Sequence, residues 1–380
     1  MAPGPDGNPY FLYTIVLLLV GALAPFFPDL HQYAILQYYR FNTHQTNFSD
    51  LNVVSKIRYN DIILPNPAVD SKVLHDMNAF GFFYVIDIPE YDATKELELL
   101  KHVFELPSDV KHTFAVRKHN PNNKNVYRGY GPAVDNVGTQ YKEVFNIGPH
   151  ETEPAFDESS DFSHARHISK EKNVWPSTDN KSFDEEFRDT FSKGFRIRVS
   201  IAKAVINCIG RLFNSPSLIN RFTHHEFSTL GLRKYPKRSR NGTKLTRSEL
   251  DNEVLTELEH VDSTVTVLST FFNPGLQALY DGSYRDVPPS GGGFLINIGT
   301  LLEDITDNRI ISVRHRVKDI QRDRYAIPFF FNPSFDADIS TSVNGNPTPA
   351  GKETPTFGHW MTKYLPAVEP ILLEDDSLGR

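Results

Sequence analysis

The spacing of hydrophobic positions changes partway along the chain, and each regime predicts a different kind of element. Val69, Val73, Met77 and Phe80 recur at helical intervals and predict a helix closed by Gly81; Leu97, Leu100 and Phe104 predict a second that stops near Pro107. The longest stripe is Phe183, Phe187, Phe191, Phe195, Val199, Ala202, Val205, Ile209 and Phe213. Its steps of three and four predict one long helix lying across a sheet, started by a capping box of Ser182 and Glu185. Among these helices, residues 82–86 and 143–147 are compact apolar runs of strand character, and 62–64 read as a short strand ended by Pro65 and Pro67.

After Pro216 the period shortens. Short runs at 229–235, 264–271, 276–279, 294–298, 310–316 and 325–331 alternate with Gly, Pro, Asn and Asp, which predicts a sandwich or barrel. Residues 236–253 form a polar, locally basic insertion too long for a hairpin turn, as expected of a loop near a site.

Candidate chemistry concentrates between Glu259 and Asn332. His260 and Asp262 are two apart, and side chains at i and i+2 of an extended segment share a face, so both can reach one ion. His315, in a later strand, supplies a third ligand. Two imidazoles and a carboxylate on one face of a metal are the facial triad of non-haem Fe(II) oxygenases. Arg324, nine residues beyond His315, places an anion anchor beside it. A rival tripeptide, His224-His225-Glu226, lacks the alternating strand that follows Asp262 as Thr264-Val265-Thr266-Val267-Leu268. His164 and His167 lie in polar, acidic surroundings and read as surface histidines.

Composition narrows the field. With 380 residues, 39% hydrophobic and 23% charged, the chain has an ample core and room for one large or two ordinary domains. A net charge of -7 and the lack of a basic stripe argue against nucleic acid as a partner. The single cysteine, Cys208, excludes an internal disulfide and any cysteine-built zinc site. Residues 10–27 carry no charge across eighteen positions, enough as a helix to rise about 27 Å. No basic residue precedes Arg40, which argues against a cleaved signal; Arg40, Lys56 and Arg58 follow the run and favour a cytoplasmic-facing protein anchored by one N-terminal helix, with a soluble cytoplasmic protein if that segment is not inserted. The sequons at Asn47, Asn180 and Asn241 would matter only in a luminal chain.

The motifs, taken in order, resemble the Fe(II)/2-oxoglutarate-dependent dioxygenases of the isopenicillin N synthase-like branch. They are His260-Val261-Asp262-Ser263, Gly275-Leu276-Gln277, Val287-Pro288-Pro289, Phe294-Leu295-Ile296-Asn297-Ile298-Gly299, Ser312-Val313-Arg314-His315-Arg316-Val317 and Arg324-Tyr325-Ala326-Ile327-Pro328. Upstream, Gly81-Phe82-Phe83-Tyr84-Val85, Phe104-Glu105-Leu106-Pro107, Tyr127-Arg128-Gly129-Tyr130 and Asn173-Val174-Trp175-Pro176 extend the similarity. The resemblance implies a mainly β fold with flanking helices, built on a double-stranded β-helix (jelly roll). It divides the chain into an extension (1–58), a helical and mixed region (59–220), a jelly-roll core (221–333) and a C-terminal tail (334–380). It further implies Fe(2+) on His260, Asp262 and His315, with 2-oxoglutarate and O2 as cosubstrates. Arg324 would pair with the distal C5 carboxylate of 2-oxoglutarate, and Tyr235 would donate to the same group. The expected outcome is oxidation of a small-molecule metabolite by hydroxylation, desaturation, epoxidation or ring formation, in secondary-metabolite biosynthesis. Tyr127, Arg128 and Tyr130 would lie at the mouth or serve the turn.

Two residues depart from that pattern. The family has Arg-x-Ser where this chain has Ala326, so a hydrogen bond to the C5 carboxylate, about 1.5–3 kcal/mol, is missing. Thr300 stands where the family commonly has an acid. An iron oxidase of the same fold that dispenses with 2-oxoglutarate, and a non-catalytic jelly-roll binding protein, are the alternatives.

Overall fold

Strands with two apolar faces must be covered on both sides, and the helices of the first half supply one cover. The computed structural model describes residues 51–133, 141–152, 163–237 and 253–368, all within one compact unit. Its strands are β1 (Lys56–Arg58), β2 (Phe82–Ile86), β3 (Gly129–Gly131), β4 (Glu143–Ile147), β5 (Thr229–Tyr235) and β6 (Leu255–His260). They continue as β7 (Val265–Ser269), β8 (Leu276–Tyr280), β9 (Ser283–Asp286), β10 (Phe294–Ile298), β11 (His315–Lys318) and β12 (Arg324–Phe331). The larger sheet has the order β1-β2-β10-β7-β12-β5-β4-β3, and the smaller has β6-β11-β8-β9. From β5 to β12 consecutive strands alternate between the sheets, as in a jelly roll, except that β8 and β9 form a hairpin within the smaller one.

Register sorts the side chains of the larger sheet. Tyr235 pairs with Arg324, Arg233 with Ala326 and Thr229 with Phe330, so these residues share a face. That face looks onto the smaller sheet, because the Tyr235 hydroxyl reaches Glu257 of β6. The opposite face meets the long helix Lys181–Leu212: the rings of Phe195 and Phe329 are 5.0 Å apart, and those of Phe187 and Phe145 5.7 Å. A fully buried pair ties this helix to the helix Ala93–Glu105. Arg198 donates from Nη1 and Nη2 to the two oxygens of Glu96 at 2.8 and 2.7 Å, and from Nη2 to Ser269 Oγ at 2.7 Å. The guanidinium carbon also sits 4.5 Å from the centre of the Phe294 ring.

Several expectations from spacing need correction. Residues 59–63 are a helix, not part of a strand at 62–64: the helical turn buries Ile62 and packs Tyr59 and Ile63 against the core. Asn180, not Ser182, caps the long helix, accepting from the Phe183 amide at 3.1 Å. Of 310–316 only the last two residues are strand, within β11. The strands β6 and β9 have too many charges to show as apolar runs. The C-terminal region carries a helix, Phe357–Val368, that buries Phe357, Met361 and Leu365. Residues 10–27, Asn47, Asn241 and most of the 236–253 insertion lie outside the described residues. Among the described residues no helix is long and apolar enough to cross a membrane.

Candidate metal and cosubstrate site

His260 ends β6 and His315 begins β11, and the two residues are direct partners in the antiparallel ladder. Their rings lie 4.4 Å apart. Each Nδ1 donates to a backbone carbonyl two residues back, His260 to Leu258 at 2.8 Å and His315 to Val313 at 3.1 Å. A carbonyl can only accept, so the proton is on Nδ1 and the Nε2 lone pair faces inward. Asp262 does not sit on a strand with His260; it lies in the turn just after β6, buried at 4% exposure. Its Oδ1 is 3.9 Å from His260 Nε2 and 3.8 Å from His315 Nε2. The three ligand atoms lie within 4.8 Å of one another, the group of this kind found among the described residues. Burial, followed by the neighbouring His260, pushes the His315 pKa below its ordinary value, against the pull of Asp262.

The turn holding Asp262 is fixed from two sides. Thr266 Oγ1 and Asn297 Nδ2 donate to Asp262 Oδ2 at 2.6 and 2.7 Å, which occupies that oxygen and leaves Oδ1 toward the histidines. The amides of Thr300 and Leu301 donate to the carbonyls of Asp262 and Ser263, each at 2.9 Å. Gly299 permits this approach, since a Cβ there would come within 2.4 Å of the Asp262 carbonyl. Here the Gly299-Thr300 pair acts through its backbone. From the C-terminal helix, Tyr364 donates its hydroxyl to the Val261 carbonyl at 2.9 Å, a contact no sequence pattern announces.

Arg324 is buried at the far end of the same face. Its Nε donates to the Pro274 carbonyl at 3.0 Å, and its guanidinium carbon stands 5.0 Å from the centre of the Tyr235 ring. Its Nη1 is buried with no hydrogen-bond partner. A cationic N–H in that state calls for an anion. Burial pushes the Arg324 pKa down while Tyr235 and Glu257 oppose the shift.

Tyr235 differs from its expected role. Its one proton goes to Glu257 Oε2 at 2.7 Å, and Lys142 Nζ holds Oε1 at 2.6 Å. Burial opposes ionisation of Glu257, but Lys142 and neighbouring donors outweigh it and hold the carboxyl well below its usual range. Tyr235 therefore frames the Arg324 pocket with its ring, and its hydroxyl, whose proton goes to Glu257, also faces the Arg324 guanidinium. Neither Glu257 nor Lys142 stands out in the sequence, because β6 reads as a charged, non-periodic segment.

The other sequence candidates do not assemble. His224 is exposed, its amide held by Ser334 Oγ, and His167 lies 3.8 Å from Glu171. Glu171 instead binds the amides of Val126, Tyr127 and Arg128, which fixes the bend leading into β3.

Family models match both parts of the chain: residues 227–333 fit the 2OG-Fe(II) oxygenase superfamily, and 61–178 the N-terminal part described as non-haem dioxygenase in morphine synthesis. Isopenicillin N synthase of Lysobacter lactamgenus is 30% identical over 291 residues, spanning 75% of this chain and 86% of that protein. The chain belongs to the 2OG-Fe(II) oxygenase superfamily. It is a non-haem iron dioxygenase of the class that uses 2-oxoglutarate and O2. A 2-oxoglutarate-dependent dioxygenase, frbJ, of Dothideomycetidae sp. (strain 11243) is 24% identical over 282 residues, 71% of either chain. The jelly roll is shared with a full-length Neurospora crassa protein solved in complex with alpha-KG, at 20% identity and a TM-score of 0.63 over 84% of this chain and 98% of that one. The donor set suits the dioxygenase's cofactors: two imidazoles and a carboxylate for iron, and a buried guanidinium whose Nη1 has no hydrogen-bond partner for a dicarboxylate.

Proposed function

We propose that His260, Asp262 and His315 hold Fe(II), and that Arg324 takes the C5 carboxylate of 2-oxoglutarate. The protein then oxidises a C–H bond of a small metabolite in secondary-metabolite biosynthesis. The observation that carries this reading is the convergence of His260 Nε2, His315 Nε2 and Asp262 Oδ1 on one point. Bound there, iron supplies the O2 activation that couples decarboxylation of 2-oxoglutarate to substrate oxidation.

The chain's own contribution is placement. The two carbonyl-anchored imidazoles present fixed lone pairs, and Asp262 is held so that one oxygen is available. Three protein ligands leave the rest of the coordination sphere to the keto-acid end of the cosubstrate and to O2. Arg324 at the other end of the face sets the direction in which the cosubstrate lies, with Tyr235 as one wall. Asp262 and Arg324 are both buried, which strengthens the charge interactions they make.

Support for a small-molecule substrate comes from relatives: the full-length Neurospora crassa protein has also been solved with thymine and with 5-formyluracil, and several relatives are named isopenicillin N synthase. Incubation of the Fe(II)-loaded protein with a metabolite extract, followed by mass spectrometry, tests the reading. A product shifted by one oxygen or by two hydrogens, dependent on 2-oxoglutarate, supports it; wild-type protein that consumes no 2-oxoglutarate with any extract contradicts it.

A further inference from the structure

Arg324 can receive an outside anion only if the protein's own anions are kept from it, and one stands just across Tyr235. Glu257, buried on β6, takes the Tyr235 hydroxyl proton on Oε2 at 2.7 Å, and that hydroxyl also faces the Arg324 guanidinium. The Glu257 charge is felt at Arg324, where with Tyr235 it opposes the effect of burial. Yet Arg324 commits Nε to the Pro274 carbonyl at 3.0 Å and has Nη1 without a hydrogen-bond partner. The carboxylate is near enough to matter and is held away.

Lys142 holds it. The Lys142 Nζ donates to Glu257 Oε1 at 2.6 Å, so both carboxylate oxygens are occupied, and both side chains of the pair are buried. The backbone sets the lysine in place: the Tyr141 amide donates to the Thr256 carbonyl at 2.9 Å, which lays the segment before β4 beside β6. The adjacent acid is engaged elsewhere, since Glu143 Oε2 accepts from Lys111 Nζ at 2.9 Å and from the Tyr130 hydroxyl at 2.7 Å. In a dry interior an ammonium against a carboxylate cancels most of its field. The same carboxylate without its partner acts at full strength on other charges nearby, and Arg324 is one of them.

We infer that Lys142 is a positioning residue for the cosubstrate: by neutralising Glu257 it keeps Arg324 available to an incoming carboxylate. This role rests on the one proposed for Arg324 and extends it, because Lys142 acts through Glu257 and not by contact with the ligand. Removing the ammonium alone should harm recognition of the C5 carboxylate, both by drawing Glu257 toward Arg324 and by setting a second negative charge beside the ligand's own. Removing both charges together should not. The keto-acid end of the ligand lies outside this effect, so a 2-oxo acid without a C5 carboxylate should be indifferent to Lys142.

The test is calorimetric titration of the full chain, loaded anaerobically with Fe(II), with 2-oxoglutarate and with 2-oxopentanoate, which has the same chain but a methyl in place of the C5 carboxylate. Lys142→Met should lower the preference for 2-oxoglutarate about tenfold or more and leave 2-oxopentanoate binding unchanged. Adding Glu257→Gln to that variant leaves an acceptor for Tyr235 without the charge, and should return the preference to within about threefold of wild type. If Lys142→Met does not fold, Lys142→Gln offers Glu257 a donor without the charge and should show the same loss. A preference unchanged in the folded Lys142 variant, equal weakening of both ligands, or a loss that Glu257→Gln does not repair overturns the inference. Wild-type protein without a preference for 2-oxoglutarate, or a preference that survives Arg324→Ala, would instead remove the proposed role of Arg324.

Discussion

Arg324 and Tyr235 stand opposite each other across the β5–β12 ladder, the guanidinium carbon 5.0 Å from the ring centre, yet the tyrosine hydroxyl donates its proton to Glu257. The two residues should therefore fail differently. Arg324→Ala removes the charge proposed to meet the C5 carboxylate and should weaken 2-oxoglutarate binding by about two to three decades, following the ~2–5 kcal/mol cost of breaking a buried charge pair. Tyr235→Phe leaves the ring but strips one donor from buried Glu257, so stability should fall by about 1–3 kcal/mol while cosubstrate affinity changes much less. Binding titration and denaturant unfolding of both variants separate the two roles.

Ala326 offers a gain-of-affinity test. It is buried on the Arg324 face, where the family places a serine. Ala326→Ser should tighten 2-oxoglutarate binding about tenfold, the effect of one hydrogen bond to a charged group. No change in affinity would mean that the C5 carboxylate does not reach this position.

The contacts behind Asp262 should govern metal retention. Asn297→Ala and Thr266→Val each remove one of the two donors to Asp262 Oδ2, and each should lower Fe(II) affinity about 10–100-fold with the fold intact. Equilibrium dialysis against Fe(II) under anaerobic conditions reads the effect directly.

Glu303, in the helix Thr300–Ile305 that buttresses the metal turn, gives a stability test with a definite sign. Burial, with Asp304 adding to it, raises its pKa to about 8 from an ordinary 4.5. The folded state holds this proton more tightly than the unfolded chain. The stability it confers is thus fully present below about pH 4.5 and is lost as pH rises to about 8. Glu303→Gln should flatten that slope and raise stability at pH 8 by on the order of 1 kcal/mol, since the carboxyl retains some contact with water. Thermal melts across this pH range check it.

The parts of the fold that the sequence announces are those whose burial is one-sided and periodic. The phenylalanine stripe from Phe183 to Phe213 maps onto one helix, and β5, β10 and β12 match their apolar runs. Strand β6 escapes notice because Glu257 and Glu259 break its pattern, although Glu257 is buried through Lys142 and Tyr235. A charge that is neutralised by a residue over a hundred positions away leaves no local trace. The same reasoning covers the site. His260, Asp262, His315 and Arg324 are visible because chemistry dictates their types and spacing. Asn297, Thr266 and Tyr364 act through hydrogen bonds that only tertiary structure creates.

The measurement that tests the central claim most directly is an anaerobic titration of 2-oxoglutarate into Fe(II)-loaded protein, followed by visible absorption of the iron–keto-acid chelate. The chelate band should rise to saturation in the wild-type protein, require about 10²–10³-fold more 2-oxoglutarate in Arg324→Ala, and be absent from Asp262→Ala and His315→Ala. A wild-type protein without the band, or a band unchanged by loss of Asp262 or His315, would contradict the account.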